Sequence, residues 1–293
     1  MALIEIATLS PDRPVLIAGP TASGKSALAL EIVAKQGGLI INADALQVFD
    51  GWRILTARPT DADLCLADHA LYGHISYDGE YSVGHWLRDV APLLSGPQRP
   101  IIVGGTGLYF SALTRGLADI PATPADIRAR ADQIVADNGF RVLLEEIDTE
   151  TLSRIDQLNP MRVQRAWEVQ HATGRGLASW QDETPAALLP LQRAHAILLD
   201  TDRDWLSDRI EHRFDLMMTA GALDEARAML PVWNPSLLSS KAIGAKELIG
   251  HLNHKMSLPE AVEAAKTATR QFAKRQRTWF RARMRDWHAV SIG

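Results

Sequence analysis

The chain carries one stretch that fixes much of its fold: residues 19–26, which fit the pattern G-x-x-x-x-G-K-[ST] at every fixed position. Before this stretch, residues 14–18 form a short apolar run that suits a buried parallel strand, and after it residues 27–33 have helical composition and period. A glycine-rich turn between a strand and a helix lets backbone N–H groups converge on phosphate oxygens, helped by the helix dipole. The sequence therefore predicts an α/β core with a phosphate-binding loop.

The side chains of this loop have predicted roles. Lys25 supplies a positive charge to the phosphates, and the Ser26 hydroxyl is placed to bind Mg²⁺. The motif leaves open whether the anion is a nucleoside triphosphate or another diphosphate. The predicted anion-binding residues of the loop are Gly19, Pro20, Thr21, Ala22, Ser23, Gly24, Lys25 and Ser26.

Length and composition indicate a globular protein of 293 residues, large enough for one big domain or a core with an insertion. No apolar run approaches the roughly 20 residues of a membrane helix, and the first residues lack the basic start of a signal peptide. A single cysteine, Cys65, excludes an intramolecular disulfide and a cysteine-based zinc site. We therefore expect no membrane association and a reducing cytoplasm.

The net charge of −4 hides a strong asymmetry. Between residues 241 and 285 the chain has 11 Lys and Arg against 3 Asp and Glu, so the remainder must be acidic. A basic segment on an otherwise acidic protein is typical of a localised contact with a polyanion.

Two further loops are predicted beside the phosphate loop. Residues 39–42 form a second buried-strand candidate, followed directly by Asp44, and residues 100–103 form a third, followed by a glycine-rich loop with Thr106. Ligands of open α/β sheets bind outside the carboxyl ends of the strands, so both loops are candidates for the site. Asp44 is either a helix or turn cap or a general base, and Thr106 is a site candidate although packing alone could explain its glycines.

A helical insertion is predicted within this core. Residues 125–137, 141–147 and 160–172 are compatible with helices and have no strand between them; in the last, a solvated stripe of Arg162, Arg165 and Glu168 is the ordinary interpretation. The core resumes with a strand over residues 196–200. On the helix that follows, Arg209 and Arg213 share a face and could neutralise a departing polyphosphate.

The last long helix is predicted over residues 258–285 and carries a basic stripe. Its members recur every three or four residues and predict contact with a phosphate backbone. They are Lys266, Arg270, Lys274, Arg277, Arg281 and Arg285.

Taken together, these motifs resemble the tRNA dimethylallyltransferases of bacterial type. The match rests on stretches in family order across nearly the whole chain, too many for chance. They are residues 19–26, 42–48, 56–59, 103–109, 162–169, 209–213, 241–244 and 269–276.

The resemblance implies a P-loop NTPase-like parallel sheet with helices on both faces and an inserted helical domain. The predicted division is 1–120 and 191–293 for the core and 121–190 for the insertion. It also implies transfer of the dimethylallyl group from dimethylallyl diphosphate to N6 of the adenine on the 3′ side of the anticodon of tRNA. The phosphate loop would then hold the donor's diphosphate with Mg²⁺, and a monomer would suit so large a substrate.

The family's functional positions map onto residues of this chain. Asp44 would accept the N6 proton, and Lys25, Arg213 and Thr21 would act with it on the diphosphate, aided by Arg209. Residues expected to touch tRNA are Asp44, Ala45, Leu46, Gln47, Thr106, Arg128, Met161, Arg162, Val163, Gln164, Arg165, Lys241, Ala242, Ile243, Gly244, Ala245 and Lys246, with Arg270, Lys274, Arg277 and Arg281 of the stripe.

The chain departs from the family pattern at four positions. Ala45 replaces a serine, Phe49 a tyrosine, Leu55 a glycine and Ala245 a tyrosine. None of these positions is a predicted catalytic residue, but Ala45 and Ala245 lie in expected tRNA-contact stretches.

Three other functions fit parts of the pattern. A small-molecule P-loop kinase would explain the loop and Asp44 but not the basic stripe. A prenyltransferase for free adenine nucleotides would need neither the stripe nor the insertion, and an RNA-stimulated ATPase would need no prenyl donor.

Overall fold

The computed structural model describes residues 5–293. The first four residues, which bear on the prediction of no signal peptide, lie outside the described residues. The chain divides into two compact units, a core that runs up to Thr114 and resumes over Leu189–Gly293, and an inserted unit, Arg115–Leu188. The predicted limits of the insertion are residues 121 and 190, so the inserted unit begins six residues earlier and ends two residues earlier than predicted.

The first half of the core alternates strands and helices. Gly24, with φ +92°, precedes the first helix, and Gly37, with φ +70°, ends it by donating its N–H to the Val33 carbonyl. The Ser82 hydroxyl caps the third helix by accepting the His85 N–H, as expected for a serine before an apolar periodic run. The elements are β1 (Val15–Ala18), α1 (Lys25–Gln36), β2 (Leu39–Asn42), α2 (Asp61–Leu66), β3 (His69–Ala70), α3 (Val83–Leu94), β4 (Pro100–Gly104) and α4 (Gly107–Arg115).

The inserted unit is helical, as predicted. Its own core surrounds Trp167, which is fully buried with Val163 and Leu143. The helix predicted over residues 141–147 is a 3-10 helix at Phe140–Glu146 and packs between two longer helices. Its α-helices are α5 (Ala125–Asn138), α6 (Thr149–Arg154), α7 (Pro160–Thr173) and α8 (Leu177–Asp182).

The second half of the core completes the sheet and adds four α-helices. The long final helix begins with a reciprocal capping box between Ser257 and Glu260 and ends two residues earlier than predicted. The elements are β5 (His195–Thr201), α9 (Arg203–Thr219), α10 (Ala222–Met229), α11 (Ala245–Leu252), α12 (Leu258–Arg283) and β6 (His288–Ile292).

All strands of the sheet are parallel, in the order β3-β2-β4-β1-β5-β6. Alternate residues of β1 face opposite sides: Leu16 packs in a cluster with α3, α4 and the end of α12, and Ile17 packs against α1. The predicted parallel sheet with helices on both faces is confirmed. Since the register pairs Ala18 with Gly104 and Asn42 with Val103, the loops after β1, β2 and β4 emerge side by side.

A separate apolar cluster joins α9 through α12 to residues 52–55. Over residues 5–293, no helix is both long enough and apolar enough to span a membrane.

Candidate active site

The phosphate loop connects β1 to α1 through two residues of left-handed backbone conformation. Gly24 has φ +92° and Ala22 has φ +63°, a conformation unusual for alanine. The Ala22 carbonyl accepts a hydrogen bond of 3.0 Å from the Arg209 guanidinium, which fixes this turn from α9. The Ser23 hydroxyl is buried and has no hydrogen-bond partner in the described part of the chain, so a bound anion could satisfy it.

Lys25 is held inside the loop. Its Nζ donates a hydrogen bond of 2.6 Å to the Pro20 carbonyl. Burial, together with the nearby positive charge of Arg213, lowers the pKa of Lys25 to about 7, although Asp44 opposes this change. The positive charge of Lys25 is therefore not fully balanced by nearby negative charge until an anion binds.

Helix α9 brings two arginines to the same loop, on one face because they are four residues apart. Arg213 Nη1 lies 3.3 Å from the Thr21 hydroxyl oxygen, to which it donates. Desolvation lowers the pKa of Arg213, as does the charge of Arg209, while Asp44 raises it. Four donor side chains thus converge at the loop and could bind an anion there. They are Thr21, Lys25, Arg209 and Arg213.

Asp44 lies on a loop whose backbone is tightly bound. Its N–H donates to Asn42 Oδ1 at 2.8 Å, and its Oδ1 accepts the Leu46 N–H at 2.9 Å. The next N–H, of Ala45, donates to the Thr106 hydroxyl at 2.9 Å. One carboxylate oxygen is therefore used to hold the turn, and Oδ2 is left to face Gly105.

Two glycines after β4 let the backbone pass close to Ala43 and to the Gln276 side chain. A Cβ at Gly104 would lie 2.0 Å from the Ala43 carbonyl oxygen, and one at Gly105 would meet the Gln276 amide at 2.4 Å. The buried Gln276 side chain of α12 accepts the Thr21 N–H at 2.9 Å and donates to the Gly105 carbonyl at 2.9 Å. It therefore joins the phosphate loop to the loop after β4.

These groups line one cavity of about 730 Å³, which we call the phosphate-loop cavity. Its polar lining includes the phosphate loop, Asp44, Arg209 and Arg213. Its apolar lining includes Leu46, Ile54, Leu55, Phe214, Met217, Ile243 and Phe272. The cavity therefore offers charged groups for an anion and apolar side chains for a hydrocarbon group.

One carboxylate that fixes the backbone beside this cavity, Glu225, is not predicted from the sequence. Glu225 of α10 accepts the backbone N–H groups of Arg53, Ile54 and Leu55 at 2.6, 2.8 and 3.0 Å. The Gln47 side-chain amide then fixes the next residues of this segment by donating to the carbonyls of residues 56 and 57. No local pattern around Glu225 signals this, because its partners are far away in the sequence.

The predicted tRNA-contact residues of the core differ in accessibility. Over residues 241–246, the side chains of Lys241 and Lys246 are exposed and Ile243 lines the cavity, whereas Ala242 and Ala245 are buried, as is Gly244. Ala245, one of the departures, begins α11.

The basic stripe of α12 is not uniform, contrary to expectation. Lys266 is buried and its Nζ lies 2.7 Å from Asp215 Oδ1, while Arg270 pairs with Glu211 at 2.8 Å. Lys274 and Arg281 are exposed and Arg277 is half-buried. The stripe therefore consists of a paired half and an open half.

In the inserted unit, α7 presents some of the predicted residues and buries others. Met161 and Arg162 are exposed at its start, whereas Val163 is fully buried. The expected solvated charge stripe is corrected, because Glu168 is only 4% exposed and lies 3.9 Å from both Arg128 and Arg165. Gln164 donates to Asp132 and Glu168.

The cavity offers few protein oxygen ligands for Mg²⁺, and these are compatible with an ion held mainly by phosphate oxygens and water. Ser26 is exposed to the cavity at the start of α1 and offers a hard oxygen ligand. Among residues 5–293, no group of three or more His, Cys, Asp or Glu could form a metal cage. Mg²⁺ commonly takes few protein ligands and completes its shell with phosphate oxygens and water, so a serine beside a phosphate site is compatible.

Known proteins resemble this chain in sequence and in structure. A sequence model of the IPP transferase family matches residues 47–283, a range that starts after Asp44. A tRNA dimethylallyltransferase of Cereibacter sphaeroides is 60% identical over 284 residues, covering 97% of this chain and 98% of the relative. One of Roseobacter denitrificans is 62% identical over 279 residues, covering 95% of this chain and 99% of the relative.

Solved structures agree. A full-length tRNA isopentenylpyrophosphate transferase of Bacillus halodurans matches with a TM-score of 0.67 and 31% identity, over 96% of this chain and 90% of that chain. A eukaryotic dimethylallyltransferase acting on tRNA matches with a TM-score of 0.79 over 95% of this chain and 73% of that chain, and at 24% identity supports the fold alone. With the family model spanning most of the chain and relatives near 60% identical over almost its full length, this chain belongs to the tRNA dimethylallyltransferase family.

Proposed function

We propose that this chain transfers the dimethylallyl group of dimethylallyl diphosphate to N6 of the adenine 3′ to the anticodon in tRNA. The observation that carries the proposal is the placement of Asp44 in the same cavity as Lys25 and Arg213. A prenyl transfer to an amine requires a carboxylate near an anion site, together with apolar side chains that can hold the prenyl group, and the lining of this cavity supplies all three.

The residues suit the two halves of the reaction. The N6 lone pair forms a bond to the allylic carbon while the carbon–oxygen bond to diphosphate breaks, and Asp44 accepts the N6 proton. Lys25, Arg213, Arg209 and the loop amides oppose the negative charge that grows on the departing diphosphate. Thr21 orients Arg213 by accepting its hydrogen bond.

Mg²⁺ is the metal we propose for this site. Ser26 would hold it together with oxygens of the diphosphate, where it supplies further positive charge to the leaving group.

The tRNA would present its adenine by extrusion from the anticodon loop, since N6 cannot reach a cavity while the base is stacked. We assign the accessible members of the predicted set, such as Lys241, Lys246, Arg128 and Arg162, to contacts with the tRNA. Single-stranded loops are the usual targets of sequence-specific RNA recognition. We further propose that the reaction takes place in the cytoplasm and that the protein acts as a monomer.

A transfer assay tests this function. The protein is incubated with radiolabelled dimethylallyl diphosphate, Mg²⁺ and unmodified tRNA, and nucleoside digests are separated. We expect label in N6-dimethylallyladenosine, and a loss of about 10²–10⁴ in rate for Asp44→Asn. Asp208→Asn, an exposed aspartate of α9 outside the cavity, is the matched control and should leave the rate unchanged.

Other outcomes separate the rival functions. Transfer of label from γ-labelled ATP to a small acceptor without prenylation would indicate a kinase, and RNA-stimulated ATP hydrolysis alone would indicate an ATPase. Prenylation of free adenine nucleotides without competition by tRNA would indicate the third rival.

A further inference from the structure

The loop after β3 carries a tyrosine, Tyr72, that lines the phosphate-loop cavity together with Asp44. The side chain is partly buried, and its ring packs edge-on against His69 with 5.6 Å between the ring centroids. Its hydroxyl makes no hydrogen bond to any residue within 5–293. A polar group that lines a cavity without a protein partner is available to a ligand.

The strand order places the loop of Tyr72 beside the loop of Asp44. Each of these residues comes two positions after the end of its strand, β3 and β2, and the two strands are direct neighbours in the sheet. The phosphate loop follows β1, which lies three strand spacings from β3 in the order β3-β2-β4-β1. Since neighbouring strands are about 4.8 Å apart, the loop of Tyr72 begins about 5 Å from the loop of Asp44 and about 14 Å from the phosphate loop.

One buried side chain joins the backbone next to Tyr72 to the backbone of Asp44. The Asn42 amide donates to the Leu71 carbonyl at 3.0 Å and to the Asp44 carbonyl at 2.9 Å. The Asn42 side-chain oxygen accepts the Asp44 N–H at 2.8 Å. The position of the tyrosine is therefore fixed relative to that of the carboxylate.

The backbone on both sides of Tyr72 has a left-handed conformation. Leu71 has φ +64°, which is unusual for a residue with a side chain, and Gly73 has φ +56°. The Gly73 N–H donates to the Gln47 carbonyl at 2.8 Å, and a Cβ at Gly73 would lie 1.5 Å from Arg58 Nη1. The surrounding structure thus imposes this backbone conformation, which is a common feature of ligand sites.

The charges around Tyr72 favour a neutral ligand group over an anion. Burial, together with the carboxylates of Asp44 and Asp63, raises the pKa of Tyr72 above its ordinary value, so its hydroxyl keeps its proton at neutral pH and is a donor. Two nearby negative charges oppose the approach of a phosphate oxygen. The cations that suit phosphate, such as Lys25 and Arg213, bind instead to residues of the phosphate loop.

The adenine of the proposed substrate offers neutral acceptors beside its reacting amine. In adenine, N6 is flanked by the ring nitrogens N1 and N7, both of which accept hydrogen bonds. A carboxylate that accepts from N6 and a hydroxyl that donates to the next ring nitrogen match adenine. They reject guanine and uracil, which have a carbonyl oxygen in place of the amine.

We propose that the Tyr72 hydroxyl donates a hydrogen bond to a ring nitrogen that flanks N6 of the target adenine, and so helps to select this base and to direct N6 to Asp44. This inference rests on the proposed function for the identity of the base. The competing acceptor is an oxygen of the donor's diphosphate, which the experiment below distinguishes.

The test combines removal of the hydroxyl with removal of a single nitrogen from the substrate. Three anticodon stem-loop RNAs differ only in the target base, which is adenine, 1-deazaadenine or 7-deazaadenine. On each RNA, kcat/KM for dimethylallyl transfer is measured for wild type, Tyr72→Phe and Tyr77→Phe. Tyr77 is the matched control, because it is a partly buried tyrosine five residues further along the chain and does not line the cavity. Comparing the variants within each RNA cancels the effect of the deaza substitution on the reactivity of N6.

On the adenine RNA we expect Tyr72→Phe to lower kcat/KM on the order of 10-fold and Tyr77→Phe to leave it unchanged. On one of the two deaza RNAs, Tyr72→Phe should cause no further loss relative to wild type, because the acceptor of the hydrogen bond is already absent. That RNA identifies the nitrogen. Thermal unfolding should be the same for wild type and Tyr72→Phe, since the hydroxyl has no hydrogen-bond partner in the described part of the chain. Tyr72→Leu, which also lacks the donor, should show the same dependence on the target base.

A loss for Tyr72→Phe that is equally large on all three RNAs would overturn the proposal. If KM for dimethylallyl diphosphate also rose, the hydroxyl would be assigned to the diphosphate. Equal kcat/KM for Tyr72→Phe and Tyr77→Phe on the adenine RNA would show that the hydroxyl contacts neither substrate. Each of these results leaves wild-type transfer to the adenine RNA intact, whereas a wild type that transfers nothing would overturn the proposed function and this inference with it.

Discussion

At the scale of single residues, Lys25 is the side chain whose charge depends most on what the cavity contains. Its pKa is lowered to about 7 from 10.5 by burial and by Arg213. A bound diphosphate would raise this pKa again, so above pH 7 binding must take up a proton. We predict that affinity for diphosphate weakens as pH rises from about 7.5 to 9, by up to tenfold per pH unit.

Calorimetry in buffers of different ionisation enthalpy checks this prediction, with close to one proton taken up per diphosphate at pH 8.5. Lys25→Arg keeps the charge at every pH and should take up none. The same lowered pKa means that the unfolded chain binds more protons between about 7 and 10.5, so stability of the unliganded protein should rise with pH over that interval. Equal proton uptake by wild type and Lys25→Arg would show that another group titrates.

Arg213 has a different role because its charge is constant under ordinary conditions and its position is fixed by Thr21. We predict that Arg213→Gln lowers kcat by about 10²–10³, since the guanidinium acts on charge that develops as diphosphate departs. Single-turnover transfer at saturating donor and tRNA measures this effect. Arg203→Gln, an exposed arginine on the same helix outside the cavity, is the control. A defect confined to tRNA affinity would contradict the assignment.

At the scale of elements, the strands and helices that frame the site were predictable because each has a strong local signal. The glycines around α1 and the serine cap of α3 mark those helices in the sequence. The two edge strands, β3 and β6, were not predicted. β3 has only two residues, and β6 alternates exposed and buried residues beyond a long helix, so the pairing with β5 and not the local pattern defines it.

The local sequence pattern also does not predict which charged residues of a helix are paired or buried. Spacing alone placed Lys266 and Arg270 on one face with the open arginines, and Glu168 on a solvated face. Packing decides otherwise, because α9 supplies acidic partners to the first two and the core of the inserted unit buries the third. The chemistry at Asp44 was recoverable from sequence because the loop positions after parallel strands converge in any such sheet.

Glu225 links an element to the site, since α10 holds the turn at residues 53–55 through three N–H groups. We predict that Glu225→Ala destabilises the protein by about 1–3 kcal/mol, because those donors lose their acceptor. It should also raise KM for the donor more than it lowers kcat, since Ile54 and Leu55 line the apolar part of the cavity.

Thermal unfolding and steady-state transfer measure the two effects. Asp224→Ala removes the preceding, exposed carboxylate, whose pair with Arg227 is a surface ion pair of little energetic weight. It should leave both quantities unchanged. If Glu225→Ala behaved like Asp224→Ala, the three hydrogen bonds would not support the wall.

At the scale of the whole molecule, the division into two units separates the diphosphate site from much of the predicted tRNA surface. All residues of the phosphate-loop cavity belong to the core, whereas Arg128 and residues 161–165 belong to the inserted unit, which has its own apolar cluster. The chain leaves and re-enters the core at adjacent points, because the Leu189 N–H donates to the Leu113 carbonyl at 3.1 Å.

This adjacency makes the inserted unit removable, since an insertion whose ends are close can be replaced by a short link. We predict that replacing residues 116–187 with a short Gly/Ser linker leaves a folded core that binds diphosphate with a Kd within about threefold of wild type, because the cavity loses no lining residue. Transfer to tRNA should fall below detection, since the contacts that would hold the anticodon loop are gone.

Calorimetry with diphosphate and the radiolabel assay measure the two properties on the same preparation. A shortened chain that still modifies tRNA at the wild-type rate would show that the core alone recognises its substrate, and one that folds but no longer binds diphosphate would show that the cavity depends on the inserted unit.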